Sequence, residues 1–351
     1  MNLQILRPIF GLTTGMLLCA GIASFAGENP VHVLQVIYNS AFGSMYDFGL
    51  TLFYVTSLIF TGLSVCIAFH AGLFNIGAEG QLTLASLAAA VFALYFPQIP
   101  FPFSILSTII VSIVAGGLWA LVAGWLKATR GSHEVIITMM MNFVAAGVAS
   151  YVVVSPFKNM ESQNPETASI PAHFMFSQFD FVQKYFGESP VNLSLLFAIL
   201  LAVFVWFFLY KTTFGFQLRS VGLNETASEI AGIDKTFYKM LSMFLAGSFA
   251  GFVALNEILG SAGKFRLGFS PEFGFVGIAV ALLARNNPIV IIFSAFLFGA
   301  LQKGAADLDF DTQYITRDFA KILQSVIILS VVSFNYIPLK FLEKREKRNG
   351  N

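Results

Sequence analysis

The chain has 351 residues, of which 56% are hydrophobic and only 11% are charged, and its net charge is +1. Soluble domains carry about 25% charged residues, so this composition excludes an ordinary soluble protein. The near-neutral charge gives no sign of a nucleic acid or of an acidic partner. Several charge-free runs approach the roughly 20 apolar residues that cross a bilayer. The sequence therefore predicts an all-α, polytopic transmembrane helical bundle.

Ten apolar segments are predicted, some of them broken or re-entrant. In chain order they cover about 8–26, 48–70, 80–96, 104–126, 134–155, 191–210, 237–257, 273–284, 288–304 and 319–338. The first could pass for a cleaved signal peptide, but its apolar stretch is long for one, and we expect an uncleaved span. The eighth is too short for a straight crossing and is interpreted as one arm of a broken pair with the ninth. The whole chain, 1–351, is predicted to form a single transmembrane domain.

The distribution of Lys and Arg predicts the orientation. With both termini cytoplasmic, 13 basic residues lie inside and 7 outside, and the tail Lys340–Arg348 contributes most to this asymmetry. The 7 basic residues on the outside are numerous enough to allow an error of one span in this count. Two loops are longer than a hairpin needs. We expect 156–190 to be a partly ordered external cap and 211–236 to be a cytoplasmic loop with a helix from about Asn224 to Ala231.

Enzymatic interpretations fail on motif spacing. The fragment Gly260-Ser-Ala-Gly263-Lys264 has two residues between its glycines, whereas a P-loop has four and places Ser or Thr after the lysine. The sequence also has no His-x-x-x-His and no cysteine pair at metal-ligand spacing. We therefore expect no catalytic residue, no metal site and no cofactor bound by this chain.

A polar break interrupts the apolar sequence at Asn75, Glu79 and Gln81, among three glycines. An ionisable group at membrane depth is costly, and it normally faces a cavity or a partner. Unwound backbone at that depth survives only beside protein or water. The alternative is an ordinary cytoplasmic turn between two spans. The residues alone favour neither interpretation.

Four further polar residues are candidates for a translocation pathway. Glu134 opens a span at the predicted inside face, where Ser132 is expected to cap the helix, and Asn142 lies two turns deeper on roughly the same face. Glu257 and Glu272 flank the predicted outer end of the seventh and eighth segments. Each of them could instead be an ordinary interfacial residue.

The loop from Arg219 to Gly232 is the second candidate site. A short polar helix with small residues, bounded by glycines and held beneath the membrane, suits docking into another protein. A solvated surface helix explains the same pattern equally well.

At these two places the sequence resembles the permeases of ABC importers of the ribose/branched-chain amino-acid superfamily, in the simple-sugar and nucleoside branch. The resemblance covers about residues 45–335. It is carried by five motifs, which are Gly72-Leu-Phe-Asn-Ile-Gly-Ala-Glu-Gly-Gln81, Gly131-Ser-His-Glu-Val135 through Met141-Asn142, Thr213-Phe-Gly-Phe-Gln-Leu-Arg219, Val221-Gly-Leu-Asn224 through Ala231-Gly232-Ile233, and Gly268-Phe-Ser-Pro-Glu-Phe-Gly274 through Ile278-Ala-Val-Ala-Leu-Leu283.

The resemblance implies a permease subunit of the bacterial inner membrane that moves a substrate, expected to be a nucleoside, by alternating access. A simple sugar or a branched-chain amino acid is the alternative cargo, and an ion-coupled secondary transporter is the rival class. The implied partners are a cytoplasmic ABC ATPase that uses ATP and Mg, a second paralogous permease, an external substrate-binding lipoprotein and membrane lipid.

The resemblance also maps a coupling helix onto 219–232. The coupling residues that it implies are Arg219, Gly222, Asn224, Glu225, Ala227, Ala231 and Gly232. The loop departs from the docking pattern of other permeases at two positions, since Thr226 stands in place of the first Ala of that pattern and Gly232 lies one position later than its Gly. His133 stands where relatives often carry Asn.

Overall fold

The computed structural model describes residues 3–176, 181–312 and 314–336. The chain divides into two compact units, Met1–Ser40 with Gly304–Asn351, and Ala41–Lys303, and each is treated by itself. The single-domain assignment stays a prediction. The basic tail Lys340–Arg348, on which the predicted orientation depends most, lies outside the described residues, as does the end of the tenth predicted segment.

The described residues are helical, without strands, and each of the ten predicted segments coincides with a helix. In chain order the α-helices are α1 (Leu3–Phe25), α2 (Pro30–Phe42), α3 (Met45–His70), α4 (Ala78–Tyr95), α5 (Phe103–Arg130), α6 (Glu134–Val154), α7 (Phe181–Tyr185), α8 (Ser194–Lys211), α9 (Thr213–Leu223), α10 (Glu225–Ile230), α11 (Lys235–Gly251), α12 (Phe273–Leu283), α13 (Pro288–Asp311) and α14 (Arg317–Tyr336). A π-helix, Leu255–Ala262, continues α11.

Seven helices in the described part of the chain are long and apolar enough to cross a membrane. At 1.5 Å per residue, α12 measures only about 16 Å, roughly half of the hydrocarbon thickness. It begins at Phe273 and ends at Leu283. The eighth predicted segment is therefore a short helix, as expected, whereas its predicted partner arm belongs to α13, which is long enough to cross a membrane by itself.

Helix α3 forms the centre of the larger unit, because it is apolar all round and packs against α8, α11 and α12. The hydroxyls of two of its residues, Thr56 and Thr61, bond to its own backbone, and Thr56 donates to the Leu52 carbonyl at 2.8 Å. These bonds let hydroxyl residues lie inside the bundle without leaving a polar group unpaired.

Helices α5 and α11 run antiparallel in close contact, and glycines allow this approach. A β-carbon at Gly116 would overlap the Gly247 carbonyl oxygen, and one at Gly251 would lie 2.5 Å from the Ser112 carbonyl oxygen. Small residues at a helix crossing bring backbones together in this way in membranes, where burial of apolar surface does not drive helix association.

The smaller unit contains α1 and α14, which pack on each other through two glycines. Gly11 lies against Val331, and Gly15 lies against Ile327. The spacing of four residues places both glycines on one face of α1.

The predicted cap at Ser132 is wrong. Helix α6 begins at Glu134, and its N-cap is His133, which makes no side-chain capping bond. The Ser132 side chain therefore stands one residue too early to reach the first free N–H groups. The Glu134 carboxylate instead pairs with the Lys127 ammonium of α5 at 2.9 Å.

A cap segment, residues 157–170, packs against the chain that follows the π-helix. Isolated bridges pair Lys158 with Thr167 and Glu166 with Arg266. The Glu166 carboxylate lies 2.7 Å from the Lys264 ammonium and 3.2 Å from Arg266 Nε. The hydrogen bond from Lys264 holds the pKa of Glu166 below its ordinary value.

Candidate functional site

The polar break folds into a closed amide pair. Asn75 Nδ2 donates to Gln81 Oε1 at 2.9 Å, and Gln81 Nε2 donates back to Asn75 Oδ1 at 3.0 Å. Asn75 Oδ1 also accepts the Gly77 N–H at 3.0 Å. Asn75 is 0% exposed and Gln81 is 1% exposed, so the solvated-turn alternative does not hold for these two residues.

Asn142 of α6 completes the break from a neighbouring helix. Its Nδ2 donates to the Ile76 carbonyl and its Oδ1 accepts the Gly80 N–H, both at 2.9 Å. Gly80 lies in the first turn of α4, where backbone N–H groups have no partner within the helix. Asn142 thus satisfies one donor and one acceptor of the unwound backbone.

Glu79 joins two helix starts. One carboxylate oxygen, Oε2, accepts the Gly274 N–H at 2.7 Å. Gly274 belongs to the first turn of α12, and Glu79 belongs to the first turn of α4, so both helix N-termini converge on this carboxylate. A negative charge at helix N-termini is favourable.

The meeting point lies deep in the bundle. The ring of Phe273, the first residue of α12, lies 6.0 Å from the ring of Tyr54 on α3. Tyr54 is nine residues from the start of α3 at Met45, or about 14 Å along a helix that measures about 39 Å. Two helices therefore begin beside α3 about a third of the way along its length, away from either end of that span.

A cavity of about 350 Å³ opens beside Glu79. The residues that line it come from α4, α6 and the segment after the π-helix, and they include Glu79, Thr83, Asn142, Ser150, Phe265 and Phe269. The two phenylalanine rings meet edge to face at 5.4 Å. The cavity is mostly apolar, with a few polar groups at one side, as small-molecule sites commonly are.

Glu257 belongs to a separate buried network that sequence reasoning missed. Its Oε1 accepts the Ser57 hydroxyl at 2.9 Å, and the neighbouring Asn256 donates to the Phe53 carbonyl at 2.9 Å. Asn192 extends the network through a 3.1 Å bond to Asn256. The π-helix turns Asn256 and Glu257 together toward α3, a placement that no spacing rule for α-helices predicts.

Glu272 does not join Glu257. It is exposed, it precedes α12 as the N-cap residue, and its backbone is left-handed with φ of 65°. The structure thus brings Glu79 and Asn142 together and places Glu272 near Glu79 at the start of α12. It leaves Glu134 and Glu257 in two other places.

The predicted coupling loop is ordered by contacts with the bundle. Arg219 of α9 donates from Nε to the Leu209 carbonyl at 3.0 Å, and its guanidinium lies 5.0 Å from the centre of the Tyr210 ring. Gly222 packs on Gly72, which has φ of +72°, and any side chain at Gly222 would overlap backbone there. The two predicted sites are therefore in direct contact.

Helix α10 confirms the predicted helix in this loop and is held by polar contacts. The Asn224 side chain caps it by accepting the Ala227 N–H at 3.0 Å. Glu225 pairs with the buried Lys239 of α11 at 2.6 Å, and Glu229 pairs with Lys235 at 2.5 Å. Glu225 is therefore engaged within the chain.

The exposed surface of this loop is apolar at both ends. Leu223 is 87% exposed and Ile230 is 84% exposed. Ala227, Ala231 and Gly232 are exposed as well. Sequence reasoning listed the small and polar residues and overlooked these two, although two aliphatic residues at the ends of a polar segment are a signal that hydropathy alone contains.

Comparison with known proteins decides the family. The sequence matches the family described as branched-chain amino acid transport system / permease component over residues 47–332. The chain belongs to this permease family. The match begins within α3 and ends within α14, so it covers both the break and the loop.

Relatives of this permease extend over nearly its whole length. A guanosine ABC transporter permease protein of Bacillus subtilis is 33% identical over 99% of this chain and 98% of its own. A nucleoside ABC transporter permease protein of Lactococcus lactis is 34% identical over 97% of this chain and 92% of its own. A glucose ABC transporter permease protein of Haloferax volcanii is 29% identical over 94% of this chain and 88% of its own.

Family membership and the apolar helices make this permease a multi-pass membrane protein. Permease subunits of ABC transporters work with an ATPase and a substrate-binding component, so the deep cavity and the apolar loop surface lie on a subunit that functions in an assembly.

Proposed function

We propose that this permease carries nucleosides from an external substrate-binding lipoprotein into the bacterial cytoplasm by alternating access. The observation that carries the proposal is the near-complete overlap with a guanosine and a nucleoside permease at 33% and 34% identity. A simple sugar is the second candidate, because a glucose permease is 29% identical over 94% of the chain.

The cavity beside Glu79 is our candidate for part of the translocation pathway. Its volume of about 350 Å³ suits a small polar molecule, and Phe265 and Phe269 offer aromatic surface to a planar base. We assign Asn75, Gln81 and Asn142 to holding the wall of this pathway, since their amides are bonded within the chain. Glu134, Glu257 and Glu272 remain predicted pathway residues with weaker support.

The loop 211–236 is our candidate for the contact with a cytoplasmic ATPase, which hydrolyses ATP with Mg while this chain binds no cofactor. Exposed Leu223 and Ile230 suit an apolar groove on that partner. A second, paralogous permease completes the pore. We further propose that both termini lie in the cytoplasm, as the distribution of Lys and Arg predicts.

Uptake of labelled guanosine, glucose and leucine by cells with the complete transporter tests the cargo. We expect guanosine uptake that excess nucleosides inhibit and that the sugar and the amino acid do not. Inhibition of uptake by glucose and not by nucleosides would show that the cargo is a sugar. Uptake by this chain alone in vesicles, lost with an uncoupler and indifferent to ATP, would favour an ion-coupled transporter.

Leu223→Asp and Ile230→Asp test the docking surface. Both side chains are exposed, so we expect normal insertion with loss of ATPase co-purification and of uptake. Met160→Asp is the matched control, because Met160 is 87% exposed in the cap segment. Unchanged co-purification in both loop variants would refute the assignment.

Two other changes in the loop give less direct tests. Glu225→Lys would place a like charge beside the buried Lys239, so its effect on folding must be separated from its effect on docking. At Gly232 a bulky residue meets open space but has to adopt φ of +80°.

A further inference from the structure

A second cavity, of about 330 Å³, lies where α3, α8, α9 and α12 end. The polar residues that line it are His70, Tyr210, Arg219, Arg285 and Asn286. It shares Arg219, Gly222 and Leu223 with the loop, but it is a separate space from the cavity beside Glu79. We refer to it as the arginine cavity.

The arginine cavity contains the positive charge of Arg219, which has no counterion in the described lining. Two of its lining residues are arginines, and none of the lining residues in the described part of the chain is acidic. The helix ends around the cavity supply carbonyl groups, and Arg219 Nε donates a hydrogen bond to one of them, the Leu209 carbonyl. Within the described residues, the two terminal nitrogens of Arg219 have no hydrogen-bond acceptor and no carboxylate partner.

The guanidinium of Arg219 is also held in place. It lies over the Tyr210 ring at 5.0 Å, and the Tyr210 hydroxyl lies 3.3 Å from His70 Nε2. A planar guanidinium with one nitrogen fixed and two free nitrogens is suited to bind two oxygens of one anion. The geometry thus favours a phosphate over a monatomic ion.

The side chains beside the cavity belong to a membrane interface. The ring of Trp206 lies 6.3 Å from the ring of Tyr210, and the Lys211 ammonium lies 5.8 Å from the Trp206 ring centre. The rest of α8 exposes an apolar face with Leu196, Leu200 and Phe204. Trp, Tyr and Lys at the end of an apolar helix mark the level of the lipid headgroups.

We propose that the arginine cavity binds a phosphate group, supplied by the headgroup of an anionic phospholipid from the adjoining leaflet. Arg219 provides the charge that binds the phosphate. The Tyr210 hydroxyl, the His70 ring and Arg285, which also has a contact of its own within the chain, complete the polar wall. Free inorganic phosphate presents the same oxygens, so the experiment has to distinguish it from the lipid headgroup as the source of the phosphate group. The proposal uses the membrane setting of the chain and does not depend on the cargo.

Native mass spectrometry of the purified full-length chain tests the lipid source. The protein is mixed with phosphatidylglycerol or phosphatidylcholine, and the bound lipid is counted. We expect preferential retention of phosphatidylglycerol. Because a basic residue near an anionic lipid contributes about 1 kcal/mol, Arg219→Gln and Arg285→Gln should each lower that retention about fivefold. Lys235→Gln, which removes a basic residue paired with Glu229 at the same end of the bundle, is the control and should retain the preference.

Inorganic phosphate tests the second source. Calorimetric titration of the delipidated chain with phosphate, repeated on Arg219→Gln, shows whether the site binds the free ion. Phosphate binding that depends on Arg219, without a preference for anionic lipid, would support the phosphate site and assign it to the soluble ion.

Equal retention of both lipids together with no phosphate binding would overturn the proposal. Unchanged lipid and phosphate binding in both Arg219→Gln and Arg285→Gln would overturn it as well. Should Arg219→Gln unfold the protein in a thermal-shift control, Arg219→Lys keeps the charge and loses the two-oxygen geometry, and weaker binding than in the wild type is again expected. If the Arg219 variants bind lipid and phosphate normally but no longer co-purify with the ATPase, the result would show instead that the cavity binds an acidic side chain of that partner.

Discussion

At the scale of single residues, the polar groups inside this bundle serve the backbone first. Asn75 and Asn142 use their amides to satisfy backbone groups of the unwound chain, and Gln81 pairs with the Asn75 amide. A buried N–H or carbonyl without a partner costs roughly 1–3 kcal/mol, so a break of this kind requires such side chains. The carboxylate of Glu79 does the same for Gly274, and it also faces the cavity.

Glu79→Gln should retain most of the uptake, because an amide oxygen can still accept the Gly274 N–H. Glu79→Ala should lower the free energy of unfolding by roughly 1–3 kcal/mol, because that N–H then has no acceptor. Thermal denaturation in detergent and uptake assays measure the two effects. Loss of uptake in Glu79→Gln at unchanged stability would show that the negative charge itself acts in transport.

Asn142→Leu should destabilise the permease more than Glu79→Ala does. It leaves both the Ile76 carbonyl and the Gly80 N–H unpaired, at roughly 1–3 kcal/mol each. Phe143→Leu is the matched control, since Phe143 is the next residue of α6 and is exposed. Equal melting temperatures for the two variants would mean that Asn142 does not support the break.

At the scale of elements, short helices and close helix crossings define the interior. Helices α4 and α12 begin within the bundle, so their N-termini face the cavity, whereas complete spans would place them at the surface. Transporters use such half-helix N-termini around their substrate sites. The crossing of α5 and α11 is as close as glycine permits.

Gly116→Ala should lower the melting temperature, whereas Gly147→Ala should not. A β-carbon at Gly116 overlaps the backbone of α11, and one at Gly147 on α6 meets no atom within 4 Å. Both substitutions add the same methyl group to a helix, where alanine is intrinsically the better residue. Thermal denaturation of the two purified variants compares them, and a greater loss in Gly147→Ala would contradict the proposed crossing.

The attachment of the cap segment should depend on pH. The pKa of Glu166 is lowered in the folded protein by the bond from Lys264, so its contribution is present above the ordinary pKa of a glutamate. That contribution is lost as the pH falls through the lowered folded value. Limited proteolysis within 157–170 should therefore become faster at acid pH in the wild type, and Glu166→Gln should be cleaved quickly and without this pH dependence.

At the scale of the whole molecule, the two ends of the larger unit differ in chemistry. The end with α9 and α10 contains Arg219, Lys235 and Lys239, and it presents Leu223 and Ile230 for docking. The end with the cap segment is closed by the ion pairs of Glu166. This asymmetry agrees with the proposed direction of insertion.

Cysteine labelling tests that direction. Both native cysteines, Cys19 and Cys66, are buried, so an introduced cysteine should dominate labelling by a membrane-impermeant maleimide. In intact cells that express this chain, we expect Met160→Cys to react. Ile230→Cys should react only after permeabilisation. The opposite result would invert the topology and place the proposed ATPase contact outside the cell.

The sequence by itself determined the membrane class, the ten apolar helices among the fourteen described, and the family, because these follow from apolar runs and from motifs that are local in the chain. It also located the break and the loop, since charge and glycine stand out in an apolar background. It misplaced the cap of α6 at Ser132, where a shift of one residue in the helix start removes the capping bond.

Only the tertiary structure decided which of these features meet. The pairings of Asn142 with the break, of Glu79 with Gly274 and of Gly72 with Gly222 join residues from 62 to 195 positions apart. The turn of Asn256 and Glu257 toward α3 depends on a π-helix. Such contacts follow from how the helices pack, and packing is set by shape across the whole bundle, which no local pattern contains.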